Sequence, residues 1–377
     1  MQGLRSDALV HLASLPLLGL AFAVLLSRPI TPGARWALAL AASGMLVVAV
    51  QLIPLPPSVW TQLPGRHFAV EGLELIGVPP GWMPLSLDPG ATWRTLLSLL
   101  APIAVFLAVL CIGPGGRRVL TLLLVGGAVG GVVLGLVQLM QGPDSGLRLH
   151  AVTNPGSVGV FANRNHYAAL LYGAMPFAAA WTIALAADGR AGRLAAVFCG
   201  LALAVLLLGI ATAQSRAGAV LGLAALVCSA FLLPGAGARP QRQRAILALG
   251  IAASLGAILA GHHALPGLVD QFEAAAVDDS RLDILGITLT AAHAFLPAGS
   301  GFGTFQAVYL MYDRPDALLT GYVNHAHNDW AELWLEGGWL FALAAAGFLV
   351  WLARATWAAW RGAPGQPADV DALLGRA

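Results

Sequence analysis

The stretch Asn324-His-Ala-His-Asn-Asp-Trp330 sets two histidines and an aspartate almost side by side. Imidazole titrates near neutral pH, so His325 or His327 can accept a proton from a hydroxyl nucleophile or hydrogen-bond a substrate. In an extended segment the two histidines share a face and Asp329 follows; in a helix they diverge. A metal needs three or four convergent ligands, and His-x-His alone does not supply them. An interfacial histidine beside Trp330, in an aromatic belt, is the plain alternative. Beyond it, Asp329, Glu332 and Glu336 fall at i, i+3 and i+7, one polar stripe on a helix rich in Leu and Trp. Carboxylates entering a membrane face a bundle interior or a watery cavity. Snorkelling to the interface accounts for Asp329 and Glu332 more readily than for Glu336.

Three arginines form a second group. Arg164 lies in Phe161-Ala-Asn-Arg-Asn-His-Tyr167, where an apolar run begins. Arg216 lies in Gln214-Ser-Arg-Ala-Gly218, a turn so short that the side chain sits at membrane depth. An arginine there is costly and marks a functional position, whereas Arg164 could equally snorkel to headgroups. Arg281 follows Asp278-Asp279-Ser280, and a helix-start salt bridge with Asp278 or Asp283 competes with a role in binding. Gly299-Ser-Gly-Phe-Gly303 could turn backbone N–H groups toward an anion, although a plain turn after Pro297 explains it too. No Lys-Ser/Thr follows those glycines, so the segment is not a nucleotide loop.

These residues must be held by membrane helices. Of the 377 residues 58% are hydrophobic and only 10% charged, against about 25% charged in soluble domains. The apolar residues fall in runs of the roughly 20 residues that cross a bilayer, with no barrel-like alternation. Spans are expected near 8–26, 36–53, 95–112, 119–140, 166–187, 194–213, 217–234, 245–261 and 338–353, about nine helices in all. The first span is too long for a cleaved signal peptide and lacks a small-residue cleavage site. Every basic residue is arginine, and a net charge of +2 gives no footprint for nucleic acid. Cys111, Cys199 and Cys228 form no Cys-x-x-Cys pair, so neither a disulfide framework nor a thiolate metal site is indicated.

Arginine placement predicts the orientation. Arg28 and Arg35, Arg117 and Arg118, Arg190 and Arg193, then Arg239, Arg242 and Arg244 occupy alternate loops, and Arg354 and Arg361 follow the last span. By the positive-inside rule these sides are cytoplasmic. The N-terminus is then outside, and so are loops 54–94, 141–165, 214–216 and 262–327, which hold most of the acids and nearly all the histidines. Within the last of these, residues 281–295 read as an amphipathic helix in the interface, ended by Pro297. The expected divisions are 1–118, N-terminal spans with an outer loop; 119–353, a membrane catalytic domain; and 354–377, a cytoplasmic tail.

Taken in order, Phe161-Ala-Asn-Arg-Asn-His, Gln214-Ser-Arg-Ala-Gly, Arg281 before an apolar helix, Gly299-Ser-Gly-Phe-Gly, and His327-Asn328 with Glu336 and Gly338 resemble the O-antigen ligase/polymerase superfamily. The likeness covers residues 120–353, and Pro84-Leu-Ser-Leu-Asp-Pro89 resembles relatives from exopolysaccharide clusters. The resemblance implies an all-α polytopic glycosyltransferase of the GT-C type in the bacterial inner membrane, with a large periplasmic loop carrying interfacial helices. Such enzymes move a glycan from undecaprenyl diphosphate to an acceptor at the periplasmic face, without nucleotide, metal or other cofactor. Ligases use the lipid A-core as acceptor, and polymerases use the next repeat unit. Arg216 and Arg281 match family arginines that hold the diphosphate, and His327 matches the histidine that handles the acceptor hydroxyl. Those three are the expected catalytic residues, while Asn163, Arg164, Gly301, His325 and Glu336 from the same motifs are the expected substrate contacts. Arg216, Arg281 and His327 are expected to converge, with Arg164 nearby. Membrane lipids, the glycan donor and acceptor, and export or flippase proteins are the implied partners. In two places the chain departs from its relatives: one span follows the histidine, where members often have another, and Phe341 stands where a small residue is common.

Two other classes compete with a ligase or polymerase. A small-anion transporter predicts repeats and a midplane site, whereas this chain gathers its polar groups in outer loops. A scaffold subunit of an export complex predicts that Arg216 and His327 are dispensable.

Overall fold

A computed structural model describes residues 2–27, 29–30, 32–142, 144–150, 156–186, 189–232, 280–313, 323–361 and 370–375, with positions 243, 246 and 250. Among them seven helices are long and apolar enough to cross a bilayer: Ala8–Ser27, Gly33–Val50, Pro89–Cys111, Pro114–Gln141, Arg164–Ala186, Gly192–Thr212 and Asp329–Trp360. The protein is therefore an all-α, multi-pass membrane protein. Large apolar side chains such as Leu26, 88% exposed, and Phe198, 71% exposed, face outward, as a lipid solvent requires. The span expected at 217–234 is an apolar helix of 15 residues, Arg216–Ala230, shorter than the roughly 20 needed for a full crossing. Apart from positions 246 and 250, the span expected at 245–261 lies outside the described residues, as do the arginines at 239, 242 and 244 and residues 262–279 and 314–322 of the outer loop, with the acids at 278 and 279.

The chain divides into two compact units, each built from two stretches: Met1–Ile112 with Asp279–Arg354, and Gly113–Asp278 with Ala355–Ala377.

In the first unit, α1 (Gln2–Ser27) packs along α6 (Leu100–Cys111), and α2 (Pro32–Val50) meets α5 (Pro89–Ser98). Between α2 and α5 lie α3 (Pro57–Trp60) and α4 (His67–Leu75), in a loop closed by a two-residue antiparallel ladder, Pro54–Leu55 (β1) with Met83–Pro84 (β2). Asp88 starts α5, its Oδ1 accepting from the Ala91 N–H at 2.9 Å, and Pro89 fills the first helical position, where no N–H is needed. Further along come α11 (Ser280–Phe295), α12 (Phe305–Tyr312) and α13 (Asp329–Arg361). α11 turns Ile284, Ala291, Ala292 and Phe295 into a core shared with Phe305, Val308, Tyr309, Ala326 and Leu335. Leu282 on the other side is 71% exposed, so apolar groups lie on both faces and amphipathicity is weaker than the sequence suggests.

α13 is broken at Gly338, whose φ of +54° no β-branched or bulky residue adopts readily. The break is laced to the Gly299–Gly303 loop. Ser300 N–H donates to Leu335 O (3.0 Å), Gly301 N–H to Glu336 O (3.0 Å), and Trp339 N–H to Pro297 O (3.0 Å). Gln51, fully buried, donates from Nε2 to Glu336 O (2.8 Å) and accepts from Phe302 N–H at Oε1 (2.9 Å). The Pro84–Pro89 segment closes the joint, with Leu87 N–H donating to Ser300 O (2.9 Å) and Thr92 Oγ1 to Phe302 O (2.8 Å). The packing at Gly301 leaves no room for a side chain: its φ is +113°, and an added Cβ would overlap the Ser86 hydroxyl. Gly301→Ala is therefore expected to destabilise the fold by about 2 kcal/mol or more, read as a lowered melting temperature in detergent. Gly286→Ala, exposed inside α11 with nothing within 4 Å of the new Cβ, is the control and is expected to raise stability slightly, by about 0.5–1 kcal/mol.

In the second unit, α8 (Arg164–Ala186) is the most buried span and packs against α7 (Pro114–Gln141), α9 (Gly189–Thr212) and α10 (Arg216–Ala230). Small residues permit the approach. A Cβ at Gly209 would lie 2.5 Å from Val132 Cγ2, and one at Gly218 would lie 2.6 Å from Ala168 Cβ. The tail is not a free appendage. α14 (Val370–Leu374) buries Leu373 against Ala180 and Ile183, and Asp371 takes a bidentate contact from Arg118 at 2.7 and 2.8 Å.

Candidate functional site

In the second unit two of the arginine motifs come together. Arg164 is the first residue of α8 and Arg216 the first of α10, both half-buried. Each helix is capped just ahead of its arginine. Asn163 Oδ1 accepts from the Asn165 N–H (2.7 Å), and Ser215 Oγ accepts from the Gly218 N–H (3.0 Å). Ser215 Oγ also donates to Asn165 Oδ1 at 2.7 Å, tying together two motifs separated by 50 residues in sequence. Two helix N-termini, each carrying a guanidinium and a partial positive charge from its peptide dipoles, thus open side by side. Such a pair suits a multiply charged anion, because fixed donors and dipoles meet its oxygens without reorganising.

The first unit holds the histidines. Asn328 caps α13, its Oδ1 accepting from the Ala331 N–H at 3.2 Å. Immediately before it, the exposed His327 has φ +52°, a left-handed conformation uncommon outside glycine. Gln214, just before the Ser215 cap, has the same φ of +52°. In both motifs one strained residue, costing on the order of 1–3 kcal/mol, precedes a capped helix that holds it in place. Glu332 is clamped below: one oxygen meets His325 Nδ1 at 2.9 Å, the other accepts from the Ala326 N–H at 2.8 Å. A carboxylate on one ring nitrogen fixes the imidazole's orientation and leaves the opposite nitrogen for chemistry. Arg281, exposed, stands on the first turn of α11, one turn before Ile284, which shares a core with Ala326.

Two expected substrate contacts are engaged inside the fold. Glu336 is 4% exposed, and its carboxylate accepts from the N–H groups of Phe305 (2.9 Å) and Gly303. Of the Gly299–Gly303 loop only the Gly303 N–H meets this carboxylate; those of Ser300 and Gly301 go to backbone carbonyls and that of Phe302 to Gln51. Gly301 donates to the Glu336 carbonyl, as described above. Arg164 and Arg216 belong to one unit, and Arg281 and His327 to the other.

An apolar groove of about 650 Å³ runs between α2, α6 and α13. Leu40, Phe106, Phe341 and Phe348 line it, and Asp329 and Trp330 mark one end, next to His327 in the chain. Phe341 forms part of this wall and leaves Gly337 no room for a Cβ, which would lie 2.5 Å from Phe341 Cβ.

Nothing in the sequence marks Arg66, yet it is 1% exposed and inside the fold. Its Nη2 donates to the carbonyls of Leu85 and Gly299, and its guanidinium lies 5.5 Å from the Phe295 ring centroid. Desolvation by burial lowers its pKa to about 10, which leaves it charged at neutral pH. Gln51 is equally silent in sequence, and Glu332 is marked there only as part of a polar stripe: only their placement in the fold shows that one locks the kink and the other orients His325.

Searches of curated proteins and of solved structures each found no match. Residues 177–352 match the model of a family described as O-antigen ligase, a stretch that includes Arg216, Arg281, both histidines and the kinked helix. Residues 177–352 of this multi-pass membrane chain thus resemble the O-antigen ligase family, in accord with a membrane glycosyltransferase-like enzyme of the ligase or polymerase type.

Proposed function

We propose that the protein transfers a glycan from undecaprenyl diphosphate to an acceptor sugar at the periplasmic face of the inner membrane, in lipopolysaccharide or exopolysaccharide synthesis. The supporting observation is the pair of joined helix N-termini bearing Arg164 and Arg216. As the glycosidic bond breaks, negative charge grows on the departing diphosphate. Guanidinium groups held at the mouth of a low-dielectric helix pair stabilise that charge without a metal. Arg281 serves the same leaving group, in keeping with the family pattern. The groove between α2, α6 and α13 takes the isoprenoid tail, since its walls are almost wholly apolar and it sits among membrane-spanning helices. His327, strained and exposed, accepts the acceptor hydroxyl's proton as the new bond forms. Ligase and polymerase share this donor chemistry, and the lipid A-core acceptor defines the first reading.

The His325–Glu332 pair supports a second assignment of the base within the same reaction. A carboxylate-oriented imidazole is the arrangement in which a histidine most readily takes a proton. The two assignments make opposite demands on single substitutions.

The test is transfer from purified undecaprenyl-diphosphate glycan by the full chain in nanodiscs. Product on a lipid A-core acceptor is expected; product only on a second donor's glycan would make the protein a polymerase. Topology supplies an independent check. Reporters fused at residue 80 and at residue 370 should be active as periplasmic and cytoplasmic reporters respectively. A cytoplasmic signal at residue 80 would sink the mechanism, because the outer loops would then face away from the donor glycan.

A further inference from the structure

The loop between α2 and α5 carries an apolar edge that stays uncovered among the described residues. Leu75 is 88% exposed, Ile76 70% and Trp82 68%, and Val78 and Met83 are exposed as well. No charged residue stands between positions 75 and 83. α4 begins this edge. His67, Glu71 and Glu74, at i, i+4 and i+7, give the helix an exposed polar stripe, while Ala69 and Leu73 are half-buried on the far side. Phe68 and Leu75, at i and i+7, form an exposed apolar stripe between the two. Core and water need only two faces of a helix, so a third face of this kind calls for an apolar medium outside the fold.

The edge is held in shape. α4 ends in a Schellman turn: Gly77, at φ +69°, donates its N–H to Glu74 O (3.0 Å), and Val78 N–H donates to Leu73 O (2.9 Å). The buried Trp60 fixes the segment just before Trp82, its indole N–H donating to Gly81 O at 2.7 Å. Arg66 and Leu87 tie the same loop to Gly299 and Ser300. Both ends of the edge are tethered close to the bilayer. Met83 pairs with Leu55, five residues beyond the span that ends at Val50, a reach of at most about 18 Å. Pro84 stands five residues before Pro89, where the next span begins. Trp93, also exposed, sets a second indole near the start of that span, and the membrane interface favours tryptophan.

We propose that the edge from Leu75 to Met83 seats in the adjacent lipid leaflet, with Trp82 at the headgroups and Leu75, Ile76 and Val78 in the acyl boundary. A lipid surface suits it better than a protein partner, because the edge is uncharged, lies between two spans and continues the apolar surface they present to lipid. The proposal holds whichever reaction the chain performs.

The test is spin-label accessibility in the full chain, with Cys111, Cys199 and Cys228 replaced by alanine, in nanodiscs of phosphatidylethanolamine and phosphatidylglycerol. Labels go on Ile76→Cys and Trp82→Cys, whose exposed side chains can be replaced without disturbing the packing of the loop. Glu71→Cys, on the polar stripe of α4, is the water reference, and Phe198→Cys, exposed within the span Gly192–Thr212, is the lipid reference. Oxygen partitions into lipid, whereas a nickel chelate stays in water. The labels at 76 and 82 are expected to favour oxygen over nickel as the label at 198 does, and the label at 76 to lie about 5–10 Å into the headgroup and acyl boundary. Nickel access at either site equal to that at 71 overturns the proposal. So does shielding from both reagents, which would mean that protein covers the edge. No transfer step is read, so failure of the glycosyltransferase reading leaves this result standing, and the reverse also holds.

Discussion

His327→Asn should lower glycan transfer by at least about a hundredfold while donor binding stays nearly intact, because general-base catalysis contributes about 10²–10⁴ in rate. Asparagine is the informative replacement. It tolerates the left-handed φ of +52° that alanine adopts poorly, so the turn before the Asn328 cap survives and the loss reports the imidazole alone. His325→Ala should cost much less than His327→Asn if His327 is the base. It should cost as much if the Glu332-oriented imidazole is the base, and Glu332→Gln should then follow His325→Ala. Chelator should leave wild-type turnover unchanged. Loss of donor binding in His327→Asn together with inhibition by chelator would make the histidine a metal ligand and would end the proposed mechanism.

The second large effect is expected at Arg216. Arg216→Lys keeps the charge and loses the planar fork that grips two phosphate oxygens, so it is not a conservative change. A charge-assisted hydrogen bond contributes about 1.5–3 kcal/mol, and each 1.4 kcal/mol is about tenfold, so transfer should fall at least about tenfold. Ser215 caps α10 whatever stands at position 216, which lets the helix start persist in the variant. Arg164→Lys should act in the same direction, since its helix opens beside that of Arg216 through the Ser215–Asn165 hydrogen bond. Arg281→Lys should be milder, as an exposed first-turn residue of α11 can readjust. Wild-type activity in both Arg216→Lys and Arg164→Lys would remove the leaving-group role and restore the scaffold reading.

The sequence by itself determined the solvent, the helix class and the family. Those follow from composition, from apolar run length and from the order of motifs, all of which are local or one-dimensional. Apolar helices must satisfy their own backbone in lipid, so hydropathy alone located seven spans to within a few residues at most edges. It also singled out Arg164, Arg216 and His327, since each stands in a short polar motif beside an apolar run. Local patterns could not show that Asn165 and Ser215 meet across 50 residues, or that one αL residue precedes the cap in both motifs. Nor could they show that α13 continues from Asp329 to Arg361 through a break at Gly338. Glu336 shows why. Its i+7 place on a polar stripe sets it apart from a snorkelling carboxylate and its motif makes it an expected substrate contact, but the stripe fixes only which side of α13 it occupies. What it touches depends on the loop after α11 and on Gln51 at the end of α2, which reach the helix through hydrogen bonds between residues 31 and 285 positions apart. Arg66 was invisible for the same reason: an arginine in an outer loop is ordinarily solvated, and only tertiary packing decided that this one would be buried with one N–H left over.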